Sequence, residues 1–288
     1  MSRLVREEKT AFKMILPYFL IIVLLFIFLI GSNIYSSFTT EEGKFTLQNY
    51  YRVFTDPVVG RAMANTVVWV VGSVLGQLLL GLLVALLLNE STRGQIIFRS
   101  VILILPWATL DIVAGVMWKW MYNDMYGVLN DVLVKLHIIN DYIPWLGSEN
   151  MAMLSVIIAN VWKGFCLSGM FFLAGLQTIS PDLYEAAEID GANSFKRFWR
   201  ITIPQLKPVI MTTLMLTIIW TINYFPLIYI MTGGGPGYGT ETVVTYIYKL
   251  GFRFLEFNKA AALSNILFVA IFAIAFVFLR NITKEEAR

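Results

Sequence analysis

The chain has 288 residues, 58% of them hydrophobic and only 14% charged, with a formal net charge of +3. Soluble domains carry about 25% charged residues, so this deficit excludes an ordinary water-soluble globule. The small basic excess contains no basic run interleaved with aromatics, which excludes nucleic acid as a partner and points to Lys and Arg in cytoplasmic loops.

Crossing a hydrocarbon core takes roughly 20 apolar residues in a helix. Six stretches are long enough: Met14 to Phe38, Ala62 to Leu88, Ser100 to Trp118, Met151 to Ile179, Pro208 to Met231 and Ala260 to Leu279. An all-α polytopic membrane protein with six transmembrane helices follows. The expected organisation is a tail at 1–13, a membrane domain at 14–280 and a tail at 281–288. The first span follows Arg3, Arg6, Lys9 and Lys13. Its apolar run is too long for a signal-peptide core and has no clear cleavage site, so it reads as a retained anchor. Lys and Arg in alternate loops number thirteen on one side and eight on the other, with Lys163 inside a span. That bias places both termini in the cytoplasm.

In the second span Gly72 and Gly76 form a G-x-x-x-G pair, which lets helix backbones approach closely. Trp118, Trp120, Tyr122 and Trp145 gather toward the outer boundary, where amphipathic rings settle among headgroups. The single cysteine, Cys166, excludes an intrachain disulfide, and the single histidine, His137, has no partner for a zinc site or a histidine-based triad. No catalytic or metal-binding residues are therefore expected. Asp111 and Lys163 are the two acidic or basic residues deep within the spans. Either they form an ion pair between the third and fourth helices, or Lys163 lines a solute path and favours an anion while Asp111 faces a water-filled cavity.

Between the fourth and fifth spans, Ser180 to Gly191 is polar and helix-favouring. Ser180 can cap the helix, Pro181 suits its first position, Asp182 faces the positive end and Gly191 supplies a left-handed stop. Ser194 can cap a second segment, Phe195 to Ile203, whose Phe195, Phe198 and Trp199 could face the membrane surface while Lys196, Arg197 and Arg200 meet water or lipid phosphate. The two segments make an elbow at Gly191.

Glu185-Ala186-Ala187, three residues, Gly191, nine residues and then Ile201-x-Ile203-Pro204 resembles the EAA loop of ABC importer permeases, with Ile203 where leucine is usual. Met231 to Pro236, Thr240, Thr242, Tyr246, Tyr248 and Gly251-Phe252 are similar to the carbohydrate branch related to the larger maltose permease subunit. Asn49-Tyr50, Asn65-Thr66 and Leu105-Pro106 extend the likeness over most of the chain. Taken alone, Gly233 to Gly237 would mean only a flexible outer turn.

The resemblance implies a type I ABC importer permease fold in a bacterial or archaeal cytoplasmic membrane, with a cytoplasmic coupling helix inside the loop at 180–204. Glu185, Ala186, Ala187, Asp190 and Gly191 would then dock on an ATPase subunit. It also implies a second homologous permease subunit, two ATPase subunits and an extracytoplasmic substrate-binding protein. ATP and Mg would bind those ATPases. This chain's Gly43-Lys44 pair has Phe38 where a phosphate-binding loop needs glycine and Phe45 where it needs Ser or Thr.

For the solute path, Asn160, Gly164 and Leu167 share one side of the fourth span, at positions resembling those that line the sugar site of the family. Leu167 stands where an aromatic is expected. In the fifth span Thr217, Trp220, Thr221 and Tyr224 follow the i, i+3, i+4, i+7 stripe, with Trp220 as the stacking platform, although the same stripe suits subunit packing. Pro226 should kink this span. The implied cargo is a sugar or oligosaccharide. Glycerol phosphate or another polar solute is the alternative within the same machinery, and an ion-coupled secondary transporter is the alternative outside it.

Overall fold

The computed structural model describes residues 2–89 and 95–286, with side chains described at 14–89, 101–278 and 280. Arg93 and Arg288 lie outside the described residues, as do the side chains of Arg3, Arg6, Lys9, Lys13, Arg99 and Lys284. Two compact units are resolved, Met1–Asp56 with Ile247–Val269 and Pro57–Tyr246 with Ala270–Arg288.

In the first unit, α1 (Ser2–Ser37) begins within the basic tail and continues through the apolar span Met14–Ser37. It is followed by α2 (Gln48–Thr55), and polar side chains fasten the two. The Asn49 amide donates to the Ser37 and Thr39 carbonyls at 3.1 and 2.9 Å, and Tyr50 and Asn265 both reach the Ser37 hydroxyl at 2.9 Å. The bond to the Ser37 carbonyl satisfies one of the C-terminal carbonyls that a helix leaves open. Together these bonds give the Asn49-Tyr50 pair a structural job. Lys259 pairs with Asp56 at 2.7 Å, both largely buried, and Arg52 pairs with Glu256 at 2.7 Å.

The second unit is built on α3 (Pro57–Asn89) packed along α7 (Glu149–Leu176). A Cβ at Gly72 would meet Ile157, one at Gly76 would meet Val161, and one at Gly81 would meet Ser168 and Gly169. The G-x-x-x-G pair therefore serves contact within this chain.

The predicted third span is broken. It consists of α4 (Gln95–Ala108) and α5 (Asp111–Met121), bent by 98° between Val101–Ala108 and Asp111–Met121. Pro106 supplies no N–H for the Ile102 carbonyl, and the Cys166 thiol donates to that carbonyl at 3.8 Å. The pair nonetheless follows α7 for about half its length. Leu103 lies against Gly169, Ile102 against Cys166, Asp111 against Lys163, Trp118 against Trp162, and Tyr122 donates to the Ser155 carbonyl. From Gly169 to Ser155 this is about 21 Å of helix at 1.5 Å per residue. A re-entrant loop would return to its starting level, whereas these contacts advance along α7; among the described residues five helices are long and apolar enough to cross a membrane, and six with this bent pair taken as one span.

After α6 (Val128–Lys135) and α7 come α8 (Pro181–Ile189), the short α9 (Ser194–Arg197), a π-helical turn at Phe198–Thr202 and α10 (Ile203–Asn223). The expected surface segment Phe195 to Ile203 is instead the start of a continuous helical stretch that runs to Asn223, and the span does not begin afresh at Pro208. Pro204 lacks the N–H that an α-helical turn would use, and the wider π turn precedes it. The cap is Asn193 rather than Ser194, its side chain accepting from Lys196 N at 2.9 Å. Pro226 breaks the fifth span as expected: α10 ends at Asn223 and α11 (Pro226–Met231) restarts with the proline in its first turn. α12 (Val243–Phe252) and α13 (Phe257–Glu286) complete the chain.

Candidate functional site

A cavity of about 200 Å³ opens in the second unit. From α7 it is lined by Asn160, Lys163, Gly164 and Leu167, and from α10 by Thr217, Trp220 and Thr221. Tyr224, at the break after α10, closes the row. All seven residues placed on the solute path from the sequence thus meet at one place. Gln77 of α3 and Trp107 of α4 line it too, and the sequence reading missed them. A carboxamide in an otherwise apolar helix was the available signal for Gln77.

Local chemistry explains each position. A Cβ at Gly164 would collide with the Gln77 carboxamide, so the glycine is the seat on which Gln77 lies across α7. Gln77 donates to the Asn160 carbonyl at 3.5 Å, while the buried Asn160 Nδ2 has no partner. A buried amide N–H without an acceptor costs free energy until a ligand or water supplies one. Thr217 donates to the Thr213 carbonyl at 2.7 Å, leaving its hydroxyl oxygen as an acceptor. The Trp220 ring is half exposed, offering an apolar face beside these polar groups.

The deep ion pair is real. Lys163 Nζ lies 2.9 Å from Asp111 Oδ1 and also donates to the Thr109 carbonyl. Tyr224 donates its hydroxyl to the same Asp111 oxygen at 2.6 Å. The cavity wall consequently holds a compensated cation. Among the described residues, no three His, Cys, Asp or Glu side chains converge as a metal site.

A second region is the exposed elbow. Ser180 Oγ accepts from Asp182 N, Pro181 stands in the first turn and Gly191 has φ +75°. Gly191 N donates to Glu188 O at 3.0 Å and Ala192 N to Ala187 O at 2.9 Å, the paired bonds of a Schellman stop. Two contacts tie α8 back to the helix that follows: Tyr184 to Thr202 at 3.0 Å and Arg197 to Glu188 at 3.2 Å. No residue of α8 is buried. Glu185, Ala186, Asp190 and Gly191 are exposed, Ala187 is half-buried, and the apolar Ile189 is 87% exposed. Ile189 is another residue that the motif reading did not select.

The glycine-rich turn is ordered rather than loose. Gly233, Gly234 and Gly237 have positive φ, and a Cβ at Gly239 would strike the backbone of Glu149. Thr240 donates to Gly235 O at 2.8 Å, and Asn65 donates to the carbonyls of Tyr238 and Glu241 at 2.8 and 3.0 Å. Thr66 Oγ1 accepts from Val243 N at 2.9 Å and so caps α12. The Asn65-Thr66 pair and the glycine-rich signature, joined by contacts 173 to 177 residues apart in sequence, are two halves of one joint.

In the first unit a larger polar groove of about 1,120 Å³ carries Lys44, Arg52 and Lys259. Each of these cations already faces a carboxylate, Glu42, Glu256 and Asp56 respectively.

A family model described as binding-protein-dependent transport system inner membrane component matches residues 8–283. The chain is 38% identical over 286 residues to the trehalose/maltose transport system permease protein MalF of Thermococcus litoralis, covering 96% of this chain and 94% of that protein. It is 35% identical over 287 residues to the sn-glycerol-3-phosphate transport system permease protein UgpA of Agrobacterium fabrum, covering 94% and 96%. Its fold is similar to that of a chain in the crystal structure of a bacterial ABC transporter involved in the import of the acidic polysaccharide alginate, with a TM-score of 0.78 and 22% identity over 96% of this chain and 97% of that one.

Proposed function

This chain belongs to the family of binding-protein-dependent transport system inner membrane components, it is a membrane-embedded ABC importer permease, and from that premise we propose that it carries a sugar or oligosaccharide. The cavity bearing Asn160 and Trp220 is the observation on which the cargo rests. A hydroxyl-rich solute needs hydrogen-bonding groups and a flat apolar face together. Asn160 Nδ2 has a free donor, Gln77 and Thr217 bring further polar atoms, and Trp220 provides the face. The relative MalF, named for trehalose and maltose, supports this cargo. The relative UgpA keeps glycerol phosphate in view, but an anion would want an uncompensated cation, and Lys163 is already paired with Asp111.

In this reading the chain forms half of a heterodimeric path with a second permease subunit. α8 is the coupling helix, with both termini and the elbow on the cytoplasmic side. Glu185, Ala186, Ala187, Asp190 and Gly191 meet an ATPase subunit, and two such subunits bind ATP and Mg. An extracytoplasmic binding protein delivers the solute. Force reaches the cavity by a short route: α8 is pinned to the start of the fifth span through Tyr184–Thr202 and Arg197–Glu188, and the same helical stretch carries Thr217, Trp220 and Thr221. A tilt of α8 therefore moves one cavity wall against α7.

The test is ATP hydrolysis by the purified assembly, stimulated by its binding protein loaded in turn with neutral sugars, sugar phosphates and glycerol phosphate. We expect stimulation by a neutral sugar. Stimulation confined to phosphorylated solutes would reject this cargo.

A further inference from the structure

We infer that Asp111, which does not line the cavity, sets the charge that the cavity presents to its solute by holding Lys163 and Tyr224, which do. This rests on the cavity being the solute site.

Three helices meet at this carboxylate. Asp111 is the first residue of α5, directly after the break in the third span. Its Oδ1 lies 2.9 Å from Lys163 Nζ on α7 and accepts the Tyr224 hydroxyl at 2.6 Å from the break in the fifth span. Lys163 also donates to Thr109 O, a carbonyl left open where α4 ends. The charges match the broken helix: a carboxylate at the positive N-terminus of α5 and an ammonium at the negative C-terminus of α4. Backbone groups at a break within a membrane must be satisfied internally, and this pair contributes to that.

The consequence for specificity follows from counting. An ammonium has three N–H donors. One is committed to the Thr109 carbonyl and the charge itself is paired with Asp111, so the cavity receives little net charge from Lys163. The Lys163 side chain is 12% exposed, and a cation with so little water is strongly unfavourable without a counter-charge. Remove the Asp111 charge, and the nearest site for a replacement anion is the cavity that Lys163 lines. Asp111 is thus a positioning residue that keeps a lysine-bearing cavity suited to neutral polyhydroxyl solutes and closed to carboxylates and phosphates.

Equilibrium dialysis of the intact permease–ATPase assembly in lipid nanodiscs, without binding protein, against labelled glucuronate tests this. Asp111→Asn should bind glucuronate about tenfold tighter than wild type, with the gain weakening in salt. Asp111→Glu should behave as wild type, and the double variant Asp111→Asn with Lys163→Met should lose the gain. If Asp111→Asn fails to assemble, recovery of assembly in the double variant is the expected result. Unchanged glucuronate binding by Asp111→Asn, a gain that survives Lys163→Met, or a double variant as unassembled as the single would overturn the inference. Failure of the sugar reading registers separately, in the wild-type hydrolysis assay, and leaves this comparison intact.

Discussion

At the scale of single residues, the cavity separates what the sequence could reveal from what it could not. Asn160 and Gly164 on one helix and Thr217, Trp220, Thr221 and Tyr224 on another were readable because helical spacing puts each set on one face. That the two faces look at each other is a tertiary fact. Gln77 shows the difference: its carboxamide reaches the cavity only because Gly164 has no side chain, a contact between residues 87 positions apart. Trp220→Ala should lower transport by on the order of tenfold, a loss typical of removing one base-stacking or ring-stacking face of about 1–3 kcal/mol. Leu24→Ala, on the exposed apolar surface of α1, should leave uptake near wild type; equal losses in both would remove Trp220 from the solute path. Gly164→Ala should also impair uptake, because its methyl group displaces Gln77, and the defect should shrink when Gln77 is shortened to Ala in the same chain. Persistence of the full defect in that double variant would show that the glycine serves something else.

At the scale of elements, α8 was written almost completely into its own sequence, since caps and stops are local chemistry. Ser180, Pro181 and Gly191 hold the places expected for them. One cap was misplaced by a residue: Asn193 and Ser194 are both good capping side chains, and only the backbone decides that Asn193 is the one outside the helix. The broken third span was less legible. Pro106, Thr109 and Asp111 interrupt the apolar run there, but the 98° bend is accompanied by bonds from Lys163 and Cys166 of another helix to the Thr109 and Ile102 carbonyls, which the local sequence does not announce. For α8, Gly191→Ala meets open space and only backbone strain at φ +75°, about 1–2 kcal/mol, so assembly should survive with weakened coupling. Gly191→Asp and Glu185→Lys should uncouple hydrolysis from uptake or release the ATPase while membrane insertion stays intact. Ile189→Asp should weaken ATPase co-purification further, since an exposed apolar side chain on a polar helix suits a partner's pocket. Wild-type ATPase recovery and uptake in all of these variants would remove α8 as the docking element.

At the scale of the whole molecule, the composition alone was sufficient to place the chain in a membrane, because no arrangement of 14% charged residues over 288 positions covers such an apolar surface in water. The family signature was legible for a related reason: Asn65-Thr66 and the glycine-rich turn are joined by hydrogen bonds that few other side chains could make. Partner subunits leave no comparable trace, as their contacts involve groups that this chain simply exposes. The central proposal is mechanical: a capped elbow under the bilayer receives force from an ATPase and passes it to the fifth span. Replacing Cys166 by Ala and placing a single cysteine at Ala186 would allow crosslinking to cysteines introduced around the ATPase cleft in intact cells and in the purified assembly. We expect a crosslink to the ATPase whose yield changes between ATP-bound and nucleotide-free states, together with protection from membrane-impermeant thiol reagents added outside. Labelling of that cysteine from the outside, or no crosslink in any nucleotide state, would contradict it.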